Sequence, residues 1–443
     1  MCCNVGFLLK SIILCLFCML AIYPLFGQKR IKKDTSYVKK DLDTLFVGES
    51  KSGYDDIVVS GGSNSVGSDL KRDDKKKETW LKVDYAKKVF DEYYDFKRYL
   101  NRKIYLALGL DYTFLNQFAT YSNSDQQASS GIFRFFGTWT APLKNKSSHG
   151  AFIFKIENRH NIGSGVTPRN LGYEAGAALS TATFKDFGWG LSNFYWKQYF
   201  KNRKIGLAVG IMDPGDWVDL YPLLSPFNFY LNEAYFNSPA MALPNQGLGI
   251  AIGIKEIYKK FYIAGGLHDA NGEPTQFVVD NFRSFFDVHE LMYWVEAGWN
   301  LGDEIVDGES IHLMYWHQDA REVQETSESW GLSFSASKIF SEKYTLFVRG
   351  GFSEGNGARM RHLIIAGMGI KVVKQDLLGI GLNYGGPNDH SRPNQFGTEL
   401  FYVMQLTEHL SVTPNFQLTI NPSFNDEKNA VGIFSVFRIR YAL

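Results

Sequence analysis

Thiols are missing from nearly the whole chain: all four cysteines, Cys2, Cys3, Cys15 and Cys18, lie at its start. Beyond them no disulfide, thiolate metal site or cysteine nucleophile can be built. Charge of one sign is missing too, since 47 Lys plus Arg face 46 Asp plus Glu, a formal net charge of +1. So even a balance sets up no field that gathers polyanions, and no nucleic-acid partner is expected. Proline is scarce at 13 against 42 glycines. After residue 27 no apolar run reaches the roughly 20 residues that a membrane-crossing helix requires. If that part of the chain crosses a membrane, it does so as a closed β-barrel, which alone among non-helical structures satisfies every backbone group in lipid.

Catalytic motifs are lacking as well. Neither H-E-x-x-H nor G-x-S-x-G occurs. Gly247, Gly249 and Gly253 mimic a nucleotide loop but lie in an alternating strand with no helix after it, where they leave space or let the sheet bend. His312 and His317 are five apart, on opposite faces of a strand, and cannot share a metal. Asp213 and Asp216 make a poor glycosidase acid pair, because nothing else in the chain supports one. No enzyme and no cofactor is expected.

The chain divides into four parts. Residues 1–27 hold Lys10, an apolar run from Ser11 to Phe26 and a small Gly27, the layout of a secretory signal peptide with cleavage expected near Gly27–Gln28. Residues 28–77 are charged and dotted with Gly and Ser, which reads as a disordered linker. Residues 78–102 read as one amphipathic helix, with Leu81, Tyr85, Val89, Tyr93, Phe96 and Leu100 on a single stripe. The simplest role for that helix is to pack on a rim of the fourth and largest part.

From residue 103 to 443 the period becomes two. In "LSVTPNFQLTIN", Leu410, Val412, Pro414, Phe416, Leu418 and Ile420 oppose Ser411, Thr413, Asn415, Gln417, Thr419 and Asn421. A soluble sandwich would turn the oily face inward, whereas a membrane barrel turns it to lipid. Two features favour the barrel. Aromatic residues mark the ends of the apolar rows (Tyr112, Trp139, Trp299, Trp330, Tyr384, Tyr441), as two interfacial girdles require. Charges recur in mid-strand on the polar faces through this whole stretch, without a linker at which domains could divide. Roughly 340 residues then suit about 16 antiparallel strands of ~10 residues with their connections. The fold expected is an all-β transmembrane barrel of about 16 strands preceded by a short amphipathic helix. Connections look short apart from Asp213–Gln246. The chain ends in Leu443, where barrel proteins commonly present an aromatic residue to the assembly machinery; Tyr441 and Phe437 share its face.

"RKIGLAVGIMDPGDWVDLYPLLSPFNFYLNEAYFNSPAMALPNQGLGIAIGIK" (Arg203–Lys255) is not generic barrel sequence. Together with "LHDANG" (Leu267–Gly272) and "LGIGLNYGGPNDHSRPNQFGTELFYVMQLTEHLSVTPNFQLTINPSFN" (Leu378–Asn425), it resembles the carbohydrate-selective porin family of the OprB type. "LGLDYTFLNQ" and "SGIFRFFGTWT" are similar too, so the resemblance runs from about Tyr105 to the end. It implies a 16-stranded outer-membrane porin through which small sugars diffuse. A general or differently selective porin for small polar solutes is the alternative, and a barrel-based enzyme or adhesin a remoter one.

Candidate pore residues follow from parity alone. Sugar hydroxyls want charged or amide partners and sugar ring faces want flat aromatics. Arg159, Arg349, Arg438 and Arg440 are candidate donors, with Glu157, Glu290, Glu296 and Glu399 as acceptors. Trp294 and Trp316 offer stacking surfaces. "MDPGDWVDLY" adds Asp213, Asp216, Trp217 and Asp219, which would narrow the pore if the loop folds inward. Against each stands a plainer reading: lumen charges pair across strands, Asp213-Pro214 starts a turn, and Trp217 anchors at an interface. The partners expected are small sugars, outer-membrane lipids and the barrel assembly machinery; whether three copies form a homotrimer stays open.

Overall fold

The computed structural model describes residues 64–83, 87–141, 148–163, 165–201, 204–302, 309–425 and 430–443. The expected signal peptide and the first part of the expected linker therefore lie outside the described residues. Strands run in order as β1 (Leu106–Ala119), β2 (Gln127–Thr140), β3 (His149–Asn161), β4 (Gly188–Phe200), β5 (Ile205–Met212), β6 (Gly247–Ile254), β7 (Phe261–Asp269) and β8 (Leu291–Asn300). They continue as β9 (Ser310–Gln318), β10 (Ser329–Phe340), β11 (Tyr344–Glu354), β12 (Met360–Lys371), β13 (Leu377–Pro387), β14 (Gln395–Gln405), β15 (Leu410–Ile420) and β16 (Val431–Ala442). Each pairs antiparallel with its sequence neighbours, and β1 pairs with β16, so the 16 strands close into a barrel. Closure removes both sheet edges, which leaves no unpaired backbone row to face lipid. Among the described residues five α-helices accompany them: α1 (Val66–Asp73), α2 (Lys87–Ile104), α3 (Pro168–Glu174), α4 (Glu233–Phe236) and α5 (Val278–Arg283). Among the described residues no helix is long and apolar enough to cross a membrane.

Strand parity behaves as the period of two requires. On β15 Thr413, Asn415, Gln417 and Thr419 are buried inside, while Ile420 is exposed outside. Around the barrel Val209, Ile252, Ile263, Leu313, Leu332, Val348 and Leu382 stay exposed on the outer wall. The oil faces outward. Trp139 and Trp299 sit near one end of their strands and Trp330 and Tyr384 near the other, all exposed, which gives the wall two aromatic belts.

The two ends differ. Residues 255–260, 341–343 and 406–409 are short turns at the end where β1 begins and β16 finishes. The opposite end carries three long connections, 162–187, 213–246 and 270–290, so the sequence reading of one long excursion is corrected to three. Short helices (α3, α4, α5) break those connections into pieces that look like turn chemistry in the sequence. In outer-membrane barrels the short turns face the periplasm.

Two N-terminal expectations also change. Within the stretch read as linker, α1 is an ordered helix. Ser65 caps it by accepting from the Ser68 N–H at 3.3 Å, and Val66, Asp69, Leu70 and Asp73 are buried. Val66 and Leu70, Asp69 and Asp73 are each four apart, so one face carries both oil and acid. Besides the local pair Arg72–Asp69, its acids find arginine partners on the barrel wall, which local composition cannot show. Residues 78–83 are not helical: Trp80 and Leu81 donate backbone bonds to Gln405 and Leu406 at the β14–β15 turn. In α2 the buried positions are Tyr94, Lys97 and Asn101, while Phe96 of the expected stripe is exposed. Lys97 bonds Asp74 at 2.6 Å and the Tyr94 hydroxyl lies 3.0 Å from the His409 ring, and these contacts turn the helix.

Candidate functional site

The connection between β5 and β6 does not stand up from the barrel. Asp213 begins it, accepting from the Gly215 N–H at 2.9 Å and from Gln246 Nε2 at 2.6 Å, so it starts the turn and closes the loop's neck. Pro214–Asp216 form one 3-10 turn, and the chain then descends into the lumen. Aromatic and leucine side chains follow at close spacing, and Trp217, Tyr221, Leu223, Tyr230, Leu231 and Tyr235 become buried there. A run this apolar cannot stay in water when an enclosed volume is available.

Charges on the inner wall then bind the backbone that the loop brings in. Arg349 on β11 donates to the Tyr235 carbonyl at 2.9 Å and to the Asp219 carboxylate at 2.5 Å, and its guanidinium lies 4.5 Å from the Tyr221 ring centre. Glu399 on β14 accepts from the Leu231 and Asn232 N–H groups at 2.7 and 2.9 Å. Arg438 on β16 donates to the Pro226 and Phe229 carbonyls at 2.7 and 2.9 Å. Glu296 on β8 accepts from the Asp219 N–H at 3.2 Å and the Tyr262 hydroxyl at 2.7 Å. His312 Nε2 lies 3.0 Å from the Asp219 carboxylate. Burial would raise Asp219, but Arg349 and His312 beside it hold its carboxyl below the usual range. Asp219 also takes a positive φ of 52°, a conformation that costs a non-glycine residue and that these bonds maintain.

Helix α1 enters the same lumen. Arg134 on β2 pairs with Asp69 at 2.9 Å and with Asp111 on β1. Arg440 on β16 pairs with Asp73 at 2.6 Å and with the same Asp111 at 2.5 Å. All five charges are buried, so each arginine shares two carboxylates and neither charge is left alone. Arg440 also draws the Asp73 carboxyl well down against the opposing effect of burial. At both ends α1 meets the loop: Asn64 before it donates to Asp216 at 3.4 Å, and the Arg72 guanidinium in its last turn lies 5.7 Å from the Phe229 ring centre.

A polar cavity of about 140 Å³ remains at the long-connection end. Lys155, Glu157, Arg159, Arg169, Lys185 and Arg359 line it with Phe227 and Phe236. Arg159 pairs with Glu157 at 2.6 Å and donates to the Thr183 carbonyl at 2.8 Å. Behind Lys155, whose Nζ is 3.7 Å away, Asp216 accepts from Asn193 at 3.0 Å; burial pushes its carboxyl up to about 7. Burial, with Arg159 and Arg169 nearby, pushes Lys185 down to about 8.

The residues singled out from sequence thus divide. Glu157, Arg159 and Asp213 line the cavity, and Asp216 lies behind its Lys155. Glu296, Arg349, Glu399 and Arg438 grip the inward loop, of which Asp219 is part, and Arg440 grips α1. Trp294 and Trp316 do face inward, opposite each other across β8 and β9, but are buried under the loop with Met241 and Met314. Gly266 and Gly331 make room for them, since a Cβ at either would sit 2.7 Å from an indole nitrogen. These indoles are packing, and the expected open stacking surface is corrected. Trp217 is likewise no interface anchor: it packs edge-on against Tyr195 inside the barrel at 5.4 Å. Glu290 is outside the lumen group, tying Asn271 to the Glu322 N–H between two rim connections. Sequence reasoning missed Asp69, Asp73, Asp111, Arg134 and Lys155. Polar-face parity gave a signal for Asp111, Arg134 and Lys155; the paired spacing of Val66, Asp69, Leu70 and Asp73 gave one for α1.

Comparison with known proteins agrees with this architecture. The family model for "Carbohydrate-selective porin, OprB family" matches residues 169–440. "Porin AaxA" of Chlamydia pneumoniae is 24% identical over 317 residues, covering 68% of this chain and 69% of that protein. The structure of Pseudomonas putida OprB at high pH superposes with a TM-score of 0.57 at 14% identity, covering 83% of this chain and 99% of that one, which shows the shared fold. A closed 16-stranded barrel, oily outside and charged inside, matched along most of its strands by one family model, makes this chain a bacterial outer-membrane porin of the carbohydrate-selective OprB family.

Proposed function

We propose that the chain passes small uncharged sugars passively, is no enzyme, and admits them first at the polar cavity by the long connections. The observation that carries this reading is the composition of that cavity. Arg159, Arg169 and Lys185 offer donors, Glu157 and Asp213 acceptors, and Phe227 and Phe236 flat faces within one concave space. Hydroxyls on every side of a sugar ring meet partners there, and its C–H faces meet aromatic carbon. Affinity must stay weak for solute to leave again. The signal-peptide reading of residues 1–27 belongs to the same proposal, since export precedes insertion; so do the assembly machinery as partner and association of three copies.

Liposome swelling with the purified barrel tests it. Glucose and a disaccharide should swell proteoliposomes faster than a polyol and an amino acid of matched size. Rates ordered by size alone would make the protein a general porin. Arg159→Ala with Lys185→Ala should lower the sugar preference while the barrel stays heat-modifiable on gels.

A further inference from the structure

The connection 270–290 contains α5 and, directly after it, one π-helical turn, Ser284–Val288. We infer that this pair of helical turns lies on the outer wall of the barrel and is a lipid-binding surface, seated among the acyl chains of the outer leaflet.

Its position follows from what it covers. Ile211 on β5 and Leu248 on β6 have the same outward parity as Val209 and Ile250, which are each 41% exposed, yet they are 2% and 6% exposed. The cover comes from this connection. Pro274 bonds the Leu191 N–H on β4 through its carbonyl at 2.7 Å, beyond the point where β5 stops pairing, and α5 packs on β6. The Ser284 hydroxyl donates to Asp269 at the end of β7 at 2.9 Å. Asn281 and Phe285, four apart, turn toward the barrel and are buried. Phe277, Val279, Phe282, Phe286 and Val288 turn away and are exposed, Phe277 at 83%. Asp280 and Arg283, the two charges of α5, neutralise one another at 3.5 Å.

The occupant follows from the height of the wall. β5 and β6 have 8 residues each, against 14 in β1 and β2. Eight residues at ~3.3 Å each, tilted by ~40°, rise only about 20 Å along the membrane normal, whereas the apolar band is about 25 Å tall. A helix about 10 Å across laid over the top of these strands restores the missing height. Its outward Phe277, Val279, Phe282, Phe286 and Val288 continue the row Val209, Ile250, Ile252, Ile254, with Arg283 and Asp287 the exposed charges among them, as an interfacial helix carries both kinds of side chain.

Downstream of Cys18 the chain has no cysteine, so single nitroxide labels can be placed cleanly. Phe282→Cys and Val288→Cys, labelled in the folded protein expressed without residues 1–27 and reconstituted into phosphatidylcholine liposomes, should be relaxed by oxygen and shielded from a nickel chelate. They should match Ile252→Cys on the strand wall and differ from Ser391→Cys in an exposed connection. Nickel accessibility like that at position 391 would overturn the inference. Label–label broadening that persists at high lipid dilution would also overturn it, because the face would then be covered by a second copy of the chain.

Discussion

Release of α1 is the perturbation that bears most directly on conduction. Asp69 and Asp73 tie it to the wall, to Arg134 at 2.9 Å and to Arg440 at 2.6 Å. Asp69→Asn with Asp73→Asn removes both negative charges and keeps the side-chain shapes. Asp111 remains to serve both arginines, so neither is abandoned and the barrel should still assemble. Each charged hydrogen-bonded contact contributes about 1.5–3 kcal/mol. Taking the low value for both, the docked helix loses roughly 3 kcal/mol, which shifts the docked-to-released ratio about 150-fold. Burial of Val66 and Leu70 still holds the helix, so the variant should populate both states rather than lose one. In planar bilayers it should show longer or larger open levels, and glucose should swell proteoliposomes faster. A folded double variant with native conductance levels and native swelling would refute the view that α1 obstructs the lumen.

Other outcomes rest on the same contacts. Arg349→Ala leaves the buried Asp219 carboxylate to His312 alone, at a cost of up to about 3–5 kcal/mol; open-channel noise should rise as the inward loop loosens, and a quiet trace would count against that loop being held there. Trp316→Ala should cost about 3–5 kcal/mol and lower the gel heat-modification temperature, with little change in sugar preference, since the indole is buried. Arg438→Ala with Arg440→Ala should alter conductance by freeing both inserted segments; unchanged conductance and ion selectivity would exclude them from the pathway. Lys185 gives a pH test. Its ammonium is held down to about 8, so anion preference should fall as pH rises through that value and should stay flat in Lys185→Gln. The sign for stability is the reverse of a salt-bridged lysine: the unfolded chain keeps that proton up to about 10.5, so between about 8 and 10.5 the folded state gains with rising pH, readable as a higher melting temperature.

Parity alone makes much of the site legible in the amino-acid order. Arg438 and Arg440 are two apart on the polar face of the last strand, and that fact puts both inside once the oil faces lipid. The same reasoning finds Arg349, Glu296 and Glu399. It fails where a contact joins distant segments. Glu399 serves two N–H groups at Leu231 and Asn232, 168 and 167 residues away, and no local pattern announces that. Trp294 and Trp316 are rightly turned inward by parity, but whether an inward face meets water or packed protein depends on what else enters the lumen. The charged stretch around α1 looks too polar to order, because its acids find partners 65 and 367 residues away.

The amino-acid sequence by itself determined the barrel: period-two alternation, girdle aromatics and chain length leave few other ways to satisfy backbone groups in lipid. The family, too, was readable in the stretch Arg203–Lys255. Only the tertiary structure decided that the lumen is occupied, by the loop from Asp213 to Gln246 and by α1, and that its charges mostly hold those segments. The physical reason is range. Alternation is a property of neighbouring residues, whereas the desolvation of a charge and its rescue by a partner depend on groups that only the closed barrel brings together.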